Sequence, residues 1–333
     1  MDKLAVVILN YNGCSFLEQF LAGVCVNSHP YPVVVIDNAS TDGSQAYLAQ
    51  NHPDIKTIQL EKNYGYSGGY NLGLKEVQAE YYILLNSDVE VTPNWITPLV
   101  SYMDAHAEVA ICQPKIKSWQ DRTKFDYAGA AGGYLDPLGY PFCRGRIFHT
   151  LENDLGQYDD TRNVFWAGGA CILVRSQVYK ELDGFDVDFF AHMEEIDLCW
   201  RCLSSGHQVA YVGDSTVYHI GGGTLSATSP FKTFLNFRNG ISMLLKNLPM
   251  MQWWKIVIRL MLDGVALLRF LLLGQWAHAW SIVKAEASFV SRIPRILNKR
   301  RRDSKPVKLY NKMIVWEYFV KRRKTFQELT KPS

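Results

Sequence analysis

Short apolar runs separated by polar punctuation organise the first two thirds of the chain. Residues 4–9, 33–36 and 82–85 are unbroken apolar runs of strand length, and residues 57–60 form a shorter mixed one. Runs without alternation predict strands covered on both faces, as in parallel sheets. A helix starting at Ser15 carries Phe16, Leu17, Phe20 and Leu21, and Thr41 or Asp42 caps another that runs through Gln50. Strand and helix alternating at this spacing predict a doubly wound α/β sheet with right-handed crossovers. Further on, residues 164–174 read as a strand, 209–212 and 216–219 as two short ones, and a helix begins near Glu194 behind the turn and loop at 183–190. Residues 110–165 show no clean period and read as sheet edge and loops that shape an acceptor site. Residues 219–224 read as a flexible loop.

The run at 82–85 stops at Asn86-Ser87-Asp88. In open parallel sheets ligands collect beyond the carboxyl ends of the strands, so Asp88 is delivered to where chemistry sits, and Asp37 likewise. A carboxylate there can hold a divalent cation, and a cation can hold a diphosphate. The glycines at 65, 68, 69 and 73 are no dinucleotide fingerprint, which belongs in the first strand–helix turn, here Asn10-Tyr11-Asn12-Gly13. They fit close backbone approach to a ligand or close helix–strand packing. Gly168 and Gly169 fit a backbone passing close to a bound sugar.

The second acidic feature is Glu194-Glu195-Ile196-Asp197. On a helix Glu194 and Asp197 share a face and Glu195 points about 100° away. Asp197 meets Arg201 one turn on, which leaves Glu195 the freer acid. Leu198-Cys199-Trp200 come directly after, so the cluster is partly buried, and burial lifts a carboxyl toward working pH, as a general base requires. Cys199 and Cys202 lack the further ligands that zinc needs and read as packing residues.

Composition changes the picture mainly at the C-terminus. The 333 residues carry a net charge of +3, but from Arg292 onward there are fourteen Lys/Arg against three Asp/Glu, a local +11 that leaves −8 for the rest. Residues 252–283 are apolar and tryptophan-rich, yet broken by Lys255, Arg259, Asp263 and Arg269. Their longest uncharged run, 270–283, has fourteen residues, short of the roughly 20 a spanning helix needs. The expectation is a catalytic domain over 1–245 and a basic, amphipathic helical extension over 246–333 lying on an anionic membrane. There Trp253, Trp254, Trp276 and Trp280 would sit at headgroup level, and Arg292, Arg295 and residues 299–302 on the headgroups. Packing of these helices on the catalytic body is the alternative. Seven scattered cysteines argue against a disulfide framework, and no signal peptide is evident at the N-terminus, so the expected place is cytoplasmic, peripheral on the inner face of the plasma membrane.

Several motifs together resemble glycosyltransferase family 2, in the rhamnosyltransferase-like branch. They are residues 7–13, 36–44, Asn63 with Gly65, Asn71 with Gly73, 86–89, 184–186 and 194–201. The resemblance covers about residues 3–240 and implies a GT-A fold and inverting transfer from a nucleotide-diphospho-sugar to a glycan or lipid-linked acceptor. It implies donor contacts at Asn10, Tyr11, Asn12, Asp37, Asn38, Asn63, Gly65, Asn71, Asn86 and Gly169. It also implies Mg²⁺ or Mn²⁺ at Asp88 and His219, and a base at Glu195 with Asp197 as rival. Two departures stand out: the metal motif begins with Asn86, leaving one carboxylate, and the base is Glu where the family more often has Asp. A nucleotidyltransferase would want a basic first loop, which residues 10–13 lack. An inactive sugar- or nucleic-acid-binding module is disfavoured by the intact Asp88, Glu195 and His219, and the tail has no stacking platform for nucleic acid.

Overall fold

The computed structural model describes residues 1–221, 229–301 and 305–330; residues 222–224 of the expected flexible loop lie outside them. In chain order the elements are β1 (Asp2–Asn10), α1 (Cys14–Ser28), β2 (Val33–Asp37), α2 (Ser44–Asn51), β3 (Lys56–Gln59), α3 (Gly65–Gly73), β4 (Ala79–Asn86), β5 (Val89–Val91), α4 (Ile96–Ala105) and β6 (Val109–Ser118). Then come β7 (Gly133–Leu135), β8 (Pro141–Cys143), β9 (Arg146–Ile147), β10 (Thr150–Leu151), β11 (Thr161–Asn163), β12 (Cys171–Arg175), α5 (Ser176–Glu181), α6 (Glu194–Ser204) and β13 (Gln208–His219). The C-terminal part holds α7 (Pro230–Asn247), α8 (Trp254–Leu272), α9 (Trp276–Asn298) and α10 (Phe326–Thr330).

The main sheet runs β11-β13-β6-β12-β4-β1-β2-β3, with β5 paired to β13. β1 lies parallel to both β2 and β4, in a register that sets Asn10 opposite Asp37 and Leu9 opposite Asn86. The carboxyl ends of three strands therefore stand side by side. Alternate residues of β1 feed two cores: Leu4, Val6 and Ile8 pack with Leu17, Leu21 and Leu99, while Ala5 and Val7 pack with Tyr70 and Leu74.

The structure corrects the local expectations in four places. Residues 110–165 supply the sheet edge only at β11: β6 is interior, between β12 and β13, and β7 to β10 form a separate four-stranded sheet. The expected strand at 164–174 begins at Cys171, because β12 enters antiparallel between β4 and β6 and the chain turns at Gly169 and Ala170 to reach it. The two strands at 209–219 are one, with a register shift between Val212 and Thr216. Asp42, not Thr41, serves the helix starts, and it serves two: one carboxyl oxygen accepts from Ser44 N and the other from Cys14 N, 3.1 and 2.8 Å.

Close packing accounts for the glycines of α3. A Cβ on Gly73 would lie 2.3 Å from Ile36 Cδ1, and one on Gly65, whose φ is +70°, would lie 2.5 Å from Phe190 Cδ2.

The C-terminal helices join the same body. Phe289, Ile296, Ile314, Phe326 and Leu329 belong to one buried cluster with Val7 and Tyr70, and the boundary expected after residue 245 falls inside α7. Several basic residues expected at headgroups pair with the protein itself, Arg295 while staying exposed. Lys299 bridges Asp186 and Asp188, Arg295 pairs with Asp188 at 2.7 Å, and Arg292 donates to the Asp188 carbonyl. The acidic 186–188 loop attracts them. On α8 the buried residues include the charged pair Arg259 and Asp263, while Val257, Met261, Val265, Leu268 and Leu272 face outward. No described helix is long and apolar enough to cross a membrane.

Candidate active site

The aligned ends of β1, β2 and β4 build one wall from short polar side chains. Asn10 Nδ2 donates to Asp37 Oδ1 and Ser40 Oγ, at 3.2 and 3.1 Å. The other Asp37 oxygen accepts from Ser40 N and Gln45 Nε2, at 3.1 and 3.0 Å, so this fully buried carboxylate is already encircled. Asn12, at φ +51°, accepts from Thr41 N and stitches the first loop to the second, while Tyr11 between them faces solvent. Asn38 holds the third loop: it accepts from Tyr64 N and donates to Asn63 Oδ1 and the Gly65 carbonyl, at 3.0, 3.0 and 3.1 Å. Asn71 has a different employment. Its amide oxygen accepts from Tyr179 OH and Phe185 N, and its nitrogen donates to the Phe185 carbonyl, fastening α3 to the loop after α5.

Asp88 lies just past β4, and β13 returns beside β5 to set His219 opposite Val89. His219 Nε2 stands 3.2 Å from Asp88 Oδ1, while Nδ1 stands 3.1 Å from Asp126 Oδ2. All three are buried. Burial disfavours the imidazolium, but the Asp126 and Asp88 carboxylates outweigh it and push His219 up to about 10. Burial likewise works against the Asp88 charge, and His219 nonetheless holds it below the usual carboxylate range. Sequence reasoning missed Asp126, which lies in the segment without period and carries no signal in the sequence.

A carboxylate and an imidazole this close, with a second carboxylate on the other ring nitrogen, are residue types that could serve a divalent cation as donors and outer support once His219 gives up its proton. The described residues contain no group of three His, Cys, Asp or Glu able to hold a metal. Two protein donors suit a hard cation that keeps waters or phosphate oxygens for its other positions.

On α6 the three acids separate sharply. Asp197 is fully buried and saturated: Arg201 Nε and Lys246 Nζ reach one oxygen at 2.7 and 2.9 Å, and Asn247 Nδ2 reaches the other at 2.8 Å. Against burial, Lys246 and Arg201 hold it below the ordinary range. The expected i,i+4 pair is present, and α7 adds two partners that sequence spacing could not show. Glu195 is half-buried, with one carboxyl oxygen out of reach of solvent and unpartnered among the described residues. Burial pushes it up to about 7. Glu194 is more deeply buried, and burial together with Glu195's charge raises it well above the usual range.

Gly169 joins Glu195 to the strand ends. A Cβ there would sit 3.8 Å from Glu195 Cγ and 3.1 Å from Tyr66 Oη, which itself donates to the Gly169 carbonyl. The adjacent Ala170 carbonyl accepts from Asn86 N at 3.0 Å. Gly168, by contrast, packs its α-carbon on the Ala128–Gly129 backbone, so only Gly169 of the two faces the acids.

A model of the family described as glycosyl transferase family 2 matches residues 5–183, more than half of the chain. The chain belongs to this family. It is 27% identical over 235 residues to the N-acetylglucosaminyl-diphospho-decaprenol L-rhamnosyltransferase of Mycobacterium tuberculosis, covering 66% of this chain and 76% of that relative. Among solved structures it resembles Staphylococcus aureus TarS in complex with UDP-GlcNAc, with a TM-score of 0.57 at 16% identity, covering 90% of this chain and 84% of that one. GalNAc-T7 with UDP, GalNAc and Mn²⁺ superposes with a TM-score of 0.56 at 16% identity over 74% of this chain, which spans about half (48%) of that structure. The fold is GT-A, and the protein is a family 2 glycosyltransferase. The family match ends before α6, so the reading of Glu195 and His219 rests on their geometry.

Proposed function

We propose that the protein moves a hexosyl group, rhamnosyl in the first instance, from a nucleotide-diphospho-sugar to a hydroxyl of a glycan or lipid-linked acceptor, with inversion. The observation that carries the proposal is Glu195, a carboxyl with a desolvated, unpartnered oxygen, poised near neutrality beside Gly169. In one displacement the acceptor oxygen loses its proton to Glu195 and bonds to the anomeric carbon. The bond from that carbon to the diphosphate breaks, and the electron pair leaves with the diphosphate. Asn10, Tyr11, Asn12, Asp37, Asn38, Asn63, Gly65 and Asn86 frame the nucleotide and sugar, Asp37 exchanging one present partner for the base or ribose. Asn71 acts behind them by fixing α3. Asp88 and His219 Nε2 would hold Mg²⁺ or Mn²⁺, which neutralises charge on the leaving diphosphate when bound. The rhamnosyl choice draws on the M. tuberculosis relative, and the metal draws support from the Mn²⁺ in the GalNAc-T7 structure.

The test is a screen of dTDP-rhamnose, UDP-N-acetylglucosamine and GDP-mannose for turnover with and without Mn²⁺, using wild type, E195Q and D88N. Both variants should lose transfer while remaining folded, E195Q with the wild-type melting profile and D88N with a lower melting temperature, because it takes a buried partner from His219. Near-normal turnover by D88N in EDTA would remove the metal role.

The partner surface we propose is an anionic membrane, met by the outward stripe of α8 together with Trp276 and Trp280 of α9, beside exposed Arg269 and Lys284. This would place the protein on the cytoplasmic face of the plasma membrane. Cosedimentation with phosphatidylglycerol vesicles should fall as salt rises; binding indifferent to lipid charge and salt would reject the bilayer as partner.

A further inference from the structure

The backbone leading into α6 is strained. Phe190, His192 and Met193 have φ of 66, 68 and 75°, a region that residues with side chains seldom adopt unless their surroundings impose it. Met193 is the residue from which α6 springs, and its carbonyl accepts from Asp197 N at 2.9 Å. Where Met193 sits therefore decides where Glu195 points. Three carbonyls of this stretch converge on one amide: Asn239 Nδ2 donates to Phe189 O, Ala191 O and His192 O at 2.9, 2.9 and 2.8 Å.

Asn239 lies on α7 and is 1% exposed. Its neighbour Arg238 donates from Nε to Asn239 Oδ1 at 2.9 Å and from a terminal nitrogen to Asp188 O and Phe189 O, both at 3.1 Å. These contacts settle the orientation of the amide, because the carbonyls demand its NH₂ and the guanidinium demands its oxygen. The fourth carbonyl, that of Phe190, accepts from Ser67 N of the donor-side helix at 3.2 Å. Glu195, for its part, has one oxygen that no described side chain orients. With no described side chain bonded to that oxygen, the carboxyl group is placed by the backbone that carries it.

We infer that Asn239 is a positioning residue for the Glu195 carboxylate, acting through residues 189–193. The inference rests on Glu195 being the base proposed above. It makes α7, a helix beyond the family match, part of what sets the catalytic geometry.

The experiment is a double-mutant cycle with N239D, which keeps the volume and removes the donor, and E195Q. The donor is whichever of the three nucleotide-sugars the wild type turns over. N239D should lower kcat by roughly 10–100-fold, with donor KM within about twofold, and should change the residual rate of E195Q by less than about twofold, because both act on one group. Hydrogen–deuterium exchange, which needs no donor, should show the amides of 190–195 exchanging faster in N239D while those of β1 and β4 do not. An equal loss in both backgrounds, or unchanged exchange at 190–195, would overturn the inference. If E195Q retains activity, the base assignment fails on its own and the exchange result alone judges Asn239. Should N239D fail to fold, N239S, with one hydroxyl donor, takes its place under the same criteria.

Discussion

α6 and α8 each bury an acid and an arginine one helical turn apart, and burial treats the two pairs differently. On α6 the acid comes first: Asp197 lies nearer the helix N-terminus than Arg201, the order the helix dipole favours. Lys246 and Asn247 complete its shell, so the carboxylate stays ionised despite full burial. On α8 the order is reversed, with Arg259 ahead of Asp263. Arg259 is well kept, with Tyr140's ring centroid 3.9 Å away and the Leu138 carbonyl at 3.2 Å. Asp263 is not, since one of its oxygens has no partner among the described residues and burial raises it in spite of Arg259. The difference shows what each pair does. The saturated pair of α6 keeps Asp197 occupied, which is why the function proposed above gives the role of base to Glu195. The pair of α8 turns that helix over, drawing its polar face inward and leaving an apolar stripe outside.

The largest effect expected from breaking this contrast is on Glu195 itself. E195Q should lower kcat by about 10²–10⁴-fold with little change in donor KM, measured in single-turnover transfer. Because burial holds Glu195 near 7 and a base must be unprotonated, wild-type kcat should climb with pH through about 7 and then level off. Next comes D197N, which takes the shared carboxylate from Arg201, Lys246 and Asn247 at once and should cost about 3–5 kcal/mol of stability in denaturant titrations, even though Arg201 keeps the Leu182 and Gly184 carbonyls and Lys246 keeps Asp186. Folded Asp197 titrates below its ordinary value, so its contribution is complete above the usual carboxylate range and is lost as pH falls through the folded value. The gap between wild type and D197N should therefore close in acid. D263N should cost less, about 1–3 kcal/mol, since Arg259 keeps its carbonyl and its ring. Folded Asp263 titrates above its ordinary value, so the stability it contributes is complete at low pH and fades as pH rises through the folded value. Here the gap should narrow toward neutral pH, the opposite of Asp197; parallel pH profiles for the two variants would dissolve the contrast. The smallest effect on stability, within about 0.5 kcal/mol, should come from M261E/L268E on the outward stripe, which should nevertheless abolish vesicle cosedimentation.

The residues alone determined whatever depends on a short window. Apolar runs placed β1, β2 and β4, the polar residues ending them placed Asn10, Asp37 and Asp88 at strand ends, and i,i+4 spacing paired Asp197 with Arg201. These are local consequences of backbone period and helical pitch. Tertiary structure decided what depends on segments far apart in the chain: β12 inserted antiparallel, Asp126 set behind His219, Lys246 and Asn247 brought to Asp197, and Lys299 drawn onto Asp186. It also decided which side of α8 faces out. By its residues α8 has two burial choices, an apolar stripe or the Arg259–Asp263 pair, and periodicity cannot rank them. The Tyr140 ring and the Leu138 carbonyl, supplied by the loop between β7 and β8, make burying the charged pair favourable. Those partners lie more than a hundred residues upstream, and only the folded chain brings them to the helix.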